Sequence, residues 1–235
     1  MNNKTVLVLA AHPDDVEILA AGTLSRLRKI GFEIFLGHMT FGDKGGIQDP
    51  ALLSATRKEE AESSAALIGA KVVGRLCGDL ELYNNDTFVE QVFEIIKEVK
   101  PDVILTHRTN DYHPDHRITG ELVLRVVREK SFNTSVWFMD AIGGIDFIPT
   151  KYVDITRERE LKDKMILCHE SQMAWMSQAR NTNMVYMAQS LDRWRGLQSG
   201  FKYAEGFMSL DGIEEDWFGS LLDAINLSHL TNKKG

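Results

Sequence analysis

The chain has 235 residues, a length that suits one sizeable domain. With 43% hydrophobic and 26% charged residues it has the composition of a folded globular protein, which excludes extensive disorder. A net charge of −7, with no basic block longer than Lys233-Lys234, excludes a nucleic-acid footprint.

From the amino end, Met1-Asn2-Asn3-Lys4 runs into an apolar stretch, Val6 to Ala11. His12, Asp14 and Asp15 interrupt it too early for a signal-peptide core. No apolar run reaches the roughly 18 residues of a membrane span, so a cytosolic protein is expected. Thr5 to Ala11 is continuously aliphatic and β-branched, the pattern of a central parallel strand covered on both faces. A helix is expected from about Asp15 to Ile30, stopped by Gly31, and then a strand from Glu33 to Thr40.

The alternation continues with a helix from near Ser54 to Gly69, a strand near Val72 and a helix from about Thr87 to Lys100. A strand at Asp102 to Thr106, a helix from roughly Asp115 to Lys130 and a strand at Ser135 to Met139 follow. The final third reads as more helical, with Arg157 to Met176 and Val185 to Arg195, and as a cap rather than a second domain. The fold class expected is therefore α/β: a Rossmann-like, mostly parallel sheet with helices on both faces and a helical C-terminal cap, one domain over 1–235. Such sheets bind ligands beyond the carboxyl ends of their strands, which directs attention to the loops after Ala11, Thr40 and Thr106.

Directly after the first strand stands Ala11-His12-Pro13-Asp14-Asp15-Val16-Glu17. A dinucleotide site would place glycines there, and they are absent. Instead the loop offers one imidazole and three carboxylates, at a helix start where Pro13 fits the first turn and anions are stabilised. Helix capping alone would explain Asp14 and Glu17 but not the preceding His12. After the strand ending at Thr106 comes Asn110-Asp111-Tyr112-His113-Pro114-Asp115-His116, with the same three-residue spacing across a Pro-Asp pair. Zinc takes nitrogen and oxygen ligands tetrahedrally and, in catalytic sites, keeps one position for water. Two loops that each supply imidazole and carboxylate meet that need.

These two motifs resemble those of the PIG-L/LmbE-like zinc-dependent deacetylases, which act on N-acetylglucosaminyl groups. Weaker echoes are Gly22-Thr23-Leu24, Thr56-Arg57-Lys58-Glu59-Glu60-Ala61 and Tyr203-Ala204-Glu205-Gly206-Phe207. The resemblance implies that His12, Asp15 and His116 hold Zn2+, with Fe2+ an alternative occupant. It implies that Asp14 is the general base activating the metal-bound water, and that His113 stabilises the oxyanion or protonates the amine. Asp115 would orient a catalytic histidine, and Arg57 would contact the sugar or its attached group. Arg57 also reads as a helix-surface residue paired with Glu60 one turn on.

The function expected is removal of an N-acetyl group from an amino-sugar substrate. The alternatives are an amidase of the same family acting on a thiol-sugar conjugate, and a non-catalytic metal- or sugar-binding protein. The resemblance also suggests a homo-oligomer. Gly42 to Gly46 reads as a glycine-rich turn or an active-site rim. Cys168-His169 reads as packing, and both Cys77 and Cys168 as buried thiols.

Overall fold

The structure, a computed structural model, describes residues 4–210 and 216–231, the side chains of Arg180 and residues 228–231 excepted. Met1-Asn2-Asn3 and Lys233-Lys234 lie outside the described residues. Strands β1 (Thr5–Ala10), β2 (Glu33–Thr40), β3 (Lys71–Cys77), β4 (Val103–Thr106), β5 (Ser135–Met139), β6 (Lys151–Asp154) and β7 (Ala204–Ser209) form a 7-stranded sheet in the order β3-β2-β1-β4-β5-β7-β6. Pairing is parallel from β3 through β5, and antiparallel where β7 joins β5 and β6.

The central strand shows why its sequence is unbroken hydrocarbon. Val6, Val8 and Ala10 enter the core on one face, Leu7 and Leu9 the core on the other, and all five are 0% exposed. β2 lies on one side of β1 and β4 on the other, so the strand order reverses here. The loops leaving β1 and β4 diverge to opposite faces and open a crevice between them.

The helices are α1 (Asp15–Leu19), α2 (Ala21–Lys29), α3 (Pro50–Ala66), α4 (Asp86–Val99), α5 (Pro114–Glu129), α6 (Arg159–Leu167), α7 (Glu170–Arg180), α8 (Met184–Ser199) and α9 (Trp217–Thr231). A 3-10 turn spans Ile142–Gly144. α4 and α5 cover the Leu7 face through residues such as Val92 and Val123. α2, α6, α8 and α9 cover the other face through Leu24, Met165, Ala188 and Phe218.

The structure departs from the sequence reading in four places. The helix expected from Asp15 to Ile30 breaks at Ala20, which leaves helical geometry at φ −144°. There the Glu205 carboxylate of β7 accepts from the amides of Gly22 at 2.9 Å and Thr23 at 2.7 Å, capping a second helix from far along the chain. Gly22 allows the approach, since a Cβ there would meet Ile155 Cγ2 at 2.6 Å. Glu205 also receives Lys162 Nζ at 2.7 Å, and Lys162 reaches Asp192 at 2.9 Å. Arg159 bonds Asp192 as well. Burying these charges is tolerable because each is paired and hydrogen-bonded.

The helix expected from Arg157 to Met176 likewise divides at Cys168-His169 into α6 and α7. The last third is also not purely helical, for it returns β6 and β7 to the sheet. Their antiparallel pairing is non-local and leaves no period in the short segment Ala204–Ser209. Cys77 and Cys168 are free thiols but only half-buried.

Candidate active site

The loop after β1 turns sharply into α1. Asp14 stands there at φ 146°, a backbone conformation that costs a non-glycine residue of order 1–3 kcal/mol. The turn sends the two neighbouring carboxylates in different directions. Asp15 is buried, 1% exposed, and accepts from the His12 amide at 2.8 Å. Its Oδ2 lies 3.4 Å from His12 Nδ1 and 3.2 Å from His107 Nε2, while its Oδ1 lies 3.4 Å from His116 Nε2. Burial opposes charge on Asp15, yet the surrounding imidazoles hold its pKa well below the usual carboxylate range.

The loop after β4 delivers the second set. His113 caps α5, its Nδ1 accepting from the Asp115 amide at 3.2 Å. The neutral ring therefore carries its proton on Nε2. The His12 and His113 rings meet edge to face, centroids 4.7 Å apart, and His113 and His116 are 4.8 Å apart. Asp115 Oδ2 lies 3.1 Å from His12 Nε2 and also accepts from the Leu80 amide at 3.0 Å. Asp111 Oδ1 lies 3.3 Å from His116 Nδ1. Burial works against protonation of both rings, but these carboxylates raise His12 to about 10 and His116 to about 9.

Three groups of donor atoms converge to within 4.8 Å: His12 with His113 and His116; Asp15 with His107 and His116; and His12 with Asp79 and Asp115. Every group contains His12 or His116, and Asp14 belongs to none of them. A dense set of imidazole nitrogens and carboxylate oxygens is what a divalent transition metal requires. The residues present fit a metal, and they leave Asp14 free to handle protons.

Arg57 enters from α3 and is 2% exposed. Its Nη2 donates to the Pro13 carbonyl at 2.6 Å and lies 3.1 Å from Asp14 Oδ2, and its Nη1 donates to the Gly42 carbonyl at 3.1 Å. A Cβ on Gly42 would stand 2.5 Å from this guanidinium, so glycine there is a condition of the arrangement. Glu60 bonds the amide and hydroxyl of Ser171 instead, both at 2.7 Å. The Gly42–Gly46 segment is a fastened rim. Asp79 accepts from the amides of Gly42 and Lys44, and Gln172 Nε2 donates to the Gly45 carbonyl at 2.9 Å. Burial raises the Asp14 pKa, Arg57 counters it, and the neighbouring Asp15 charge adds to the rise.

These groups line one cavity of about 380 Å3, within the usual range of small-molecule sites. It contains His12, Asp14, Asp15, Arg57, His113, Asp115 and His116 together. Residues 7–127, half of the chain and the half that carries both loops, match the family PIG-L, GlcNAc-PI de-N-acetylase.

The chain belongs to the PIG-L family.

This PIG-L chain is 29% identical to the diacetylchitobiose deacetylase of Thermococcus kodakarensis, over 89% of this chain and 84% of that one. It is 30% identical to the probable N-acetyl-α-D-glucosaminyl L-malate deacetylase 2 of Bacillus subtilis, over 53% of this chain and 61% of that one. Its structure is similar to that of N,N′-diacetylchitobiose deacetylase from Pyrococcus horikoshii, with TM-score 0.78, 26% identity and coverage of 94% and 89%. The 4-carboxy-2-hydroxymuconate hydratase GalB of Pseudomonas putida has TM-score 0.77, with 91% of this chain and 98% of that one covered. At 20% identity that likeness shows the fold alone. A shared fold does not decide a reaction, so the site must.

Behind the site of this PIG-L chain lies a layer that motif reading passed over. His107, 0% exposed, stacks on His116 with centroids 3.9 Å apart and accepts from the Ala11 amide at 3.1 Å. Burial and the His116 charge push its pKa down to about 4. Its place immediately after β4 was the available signal. His169, read as packing, is fully buried and sits 3.4 Å from Glu17 Oε1. That same oxygen accepts from Ser64 Oγ at 2.6 Å. No local pattern joins residues 17, 64 and 169, and only the fold brings them together.

Proposed function

We propose that this chain is a zinc-dependent hydrolase that removes the N-acetyl group from an amino sugar of the N-acetylglucosamine type, releasing acetate and a free amine. The observation that carries this reading is the convergence of both His-Pro-Asp loops on one cavity, with an arginine-held carboxylate beside the donor groups. The deacetylase relatives support it. His12, Asp15 and His116 hold the metal, and Fe2+ suits the same two imidazoles and one carboxylate.

A bound zinc ion supplies a Lewis acid that acidifies water and polarises the amide carbonyl. Asp14 takes the proton from the attacking water and delivers it toward the departing nitrogen. Its raised pKa, caused by burial, suits a carboxylate that must hold a proton between those steps. His113, with its proton on Nε2, donates a hydrogen bond to the developing oxyanion or to the departing amine. Asp115 fixes the plane of the His12 ring. Arg57 lines the same cavity beside Asp14, and any hydrogen-bonding capacity left by its contacts to Pro13, Asp14 and Gly42 serves a sugar hydroxyl there. Among the described residues no helix is long and apolar enough to cross a membrane. A cytosolic enzyme that forms a homo-oligomer is the accompanying reading.

The test is acetate and amine release from N-acetylglucosamine, diacetylchitobiose and a thiol-linked N-acetylglucosaminide, before and after chelation and again after adding Zn2+ or Fe2+. Turnover lost on chelation and restored by metal is the expected result. Turnover confined to the thiol conjugate would establish the amidase alternative, and metal binding without turnover of any sugar would establish a binding protein.

A further inference from the structure

Beyond the residues of the two His-Pro-Asp loops, the cavity is lined by a polar set and an apolar set. The polar set includes Lys44, Asp79 and Gln172, each of which makes hydrogen bonds within the protein. The Asp79 carboxylate accepts from Gly42 at 2.8 Å and Lys44 at 3.0 Å. Lys44 Nζ donates to Glu81 at 2.8 Å, and Gln172 to Gly45 at 2.9 Å. The apolar set comes from α8, the 3-10 turn and α7, the helix that also carries Gln172. Ile142, Trp175, Met176 and Met187 line the cavity, as does Met184, which is 1% exposed. Among these five, the indole N–H of Trp175 is the one conventional hydrogen-bonding group.

This wall decides what can lie against it. A second sugar ring presents hydroxyls on every edge, and each one desolvated without a partner costs about 1–3 kcal/mol. A hydrocarbon chain or aromatic ring has no such cost, and gains about 25 cal/mol for every Å2 it removes from water. Methionines, unbranched and polarisable, adapt to apolar groups of different outline. The wall is continuous with the reacting centre, because Ile18 of α1 and Leu80 at the mouth line the same cavity as His12 and Asp14. Leu80 is 55% exposed, an apolar side chain held open to solvent at the entrance.

We propose that the substrate is an N-acylated amino sugar that carries an apolar group, an alkyl chain or aromatic ring, and that the wall of Ile142, Trp175, Met176 and Met187 holds that group. The proposal rests on the deacetylase reading and narrows its substrate. The shared chemistry is a hydrocarbon substituent, attached through either the glycosidic oxygen or the amide carbonyl.

The experiment compares kcat/KM of the metal-loaded protein on four compounds: methyl N-acetyl-β-glucosaminide, diacetylchitobiose, octyl N-acetyl-β-glucosaminide and N-octanoylglucosamine. The expected result is at least a tenfold higher kcat/KM on one octyl compound than on the methyl glycoside and on diacetylchitobiose. The octyl compound that gains identifies the point of attachment. Dissociation constants measured with the Asp14→Asn variant should follow the same order. Met176→Gln with Met187→Gln should bring the octyl-to-methyl ratio down toward one. A preference for diacetylchitobiose, or equal values on all four, overturns the proposal and leaves the deacetylase reading standing. No amine release from any of the four overturns the deacetylase reading and the proposal with it.

Discussion

Arg57 Nη2 lies 3.1 Å from Asp14 Oδ2 and 2.6 Å from the carbonyl of the residue before it. One buried guanidinium therefore grips both the carboxylate of a residue at φ 146° and the Pro13 carbonyl just before it, and its Nη1 ties the same turn to Gly42. The planar fork makes these contacts at once, which a lysine ammonium cannot reproduce.

Replacing Arg57 should misplace the base before it weakens substrate contact. Arg57→Lys is expected to lower kcat about 100-fold, equivalent to about 2.7 kcal/mol. KM should change little and bound metal should be retained. Guanidinium added to Arg57→Ala should recover part of the rate. A rise in KM with kcat unaltered would instead assign Arg57 to the sugar alone.

Asp14→Asn keeps the shape of the side chain and removes its ability to take a proton. Turnover should fall by at least the 100-fold typical of a lost general base. Metal content, measured on the purified variant, should match the parent because Asp14 lies outside the convergent donor groups.

His107 touches Asp15 Oδ2 and stacks on His116 without reaching the cavity surface. His107→Ala should weaken metal affinity by about 10–100-fold, the usual effect of losing a residue that orients ligands. Competition with a chromogenic chelator would measure it, and an unchanged affinity would reduce His107 to packing.

His38 of β2 is 1% exposed, and neither ring nitrogen has a hydrogen-bond partner. Burial pushes its pKa down to about 4, with the Glu17 carboxylate opposing. Below about pH 6.5 the unfolded chain takes up a proton that the folded protein refuses until pH 4. This contribution to stability is complete above pH 6.5 and is lost as pH falls through that window. It should amount to roughly 2 kcal/mol between pH 7 and pH 5. Urea midpoints at the two values should differ less in His38→Leu than in the parent.

Lys162→Met would strand part of the negative charge on Asp192 and Glu205 inside the protein. Removing one partner from a buried ionic group costs about 3 kcal/mol or more. The Tm of the variant should fall by roughly 6–12 °C for a domain of this size. The buried Asp192, already raised to about 6 by desolvation, should shift further upward.

The sequence by itself determined the frame and the chemical inventory. An unbroken run at Thr5 to Ala11 requires cover on both faces, and alternating strand and helix signals require a mostly parallel sheet. Two His-Pro-Asp loops at strand ends then supply imidazole and carboxylate where such a sheet binds ligands. Those signals are local, because the covalent order of residues 11–17 and 110–116 sets each turn and its helix start. Only the tertiary structure decided how the parts meet. The break at Ala20 depends on Glu205, the grip on Asp14 on Arg57 and Gly42, and the buried contact of Glu17 on Ser64 and His169. The apolar wall of the cavity depends on α7 and α8 folding over the crevice. Each is a contact between residues far apart in the chain, and no period or spacing in the sequence encodes a contact of that kind.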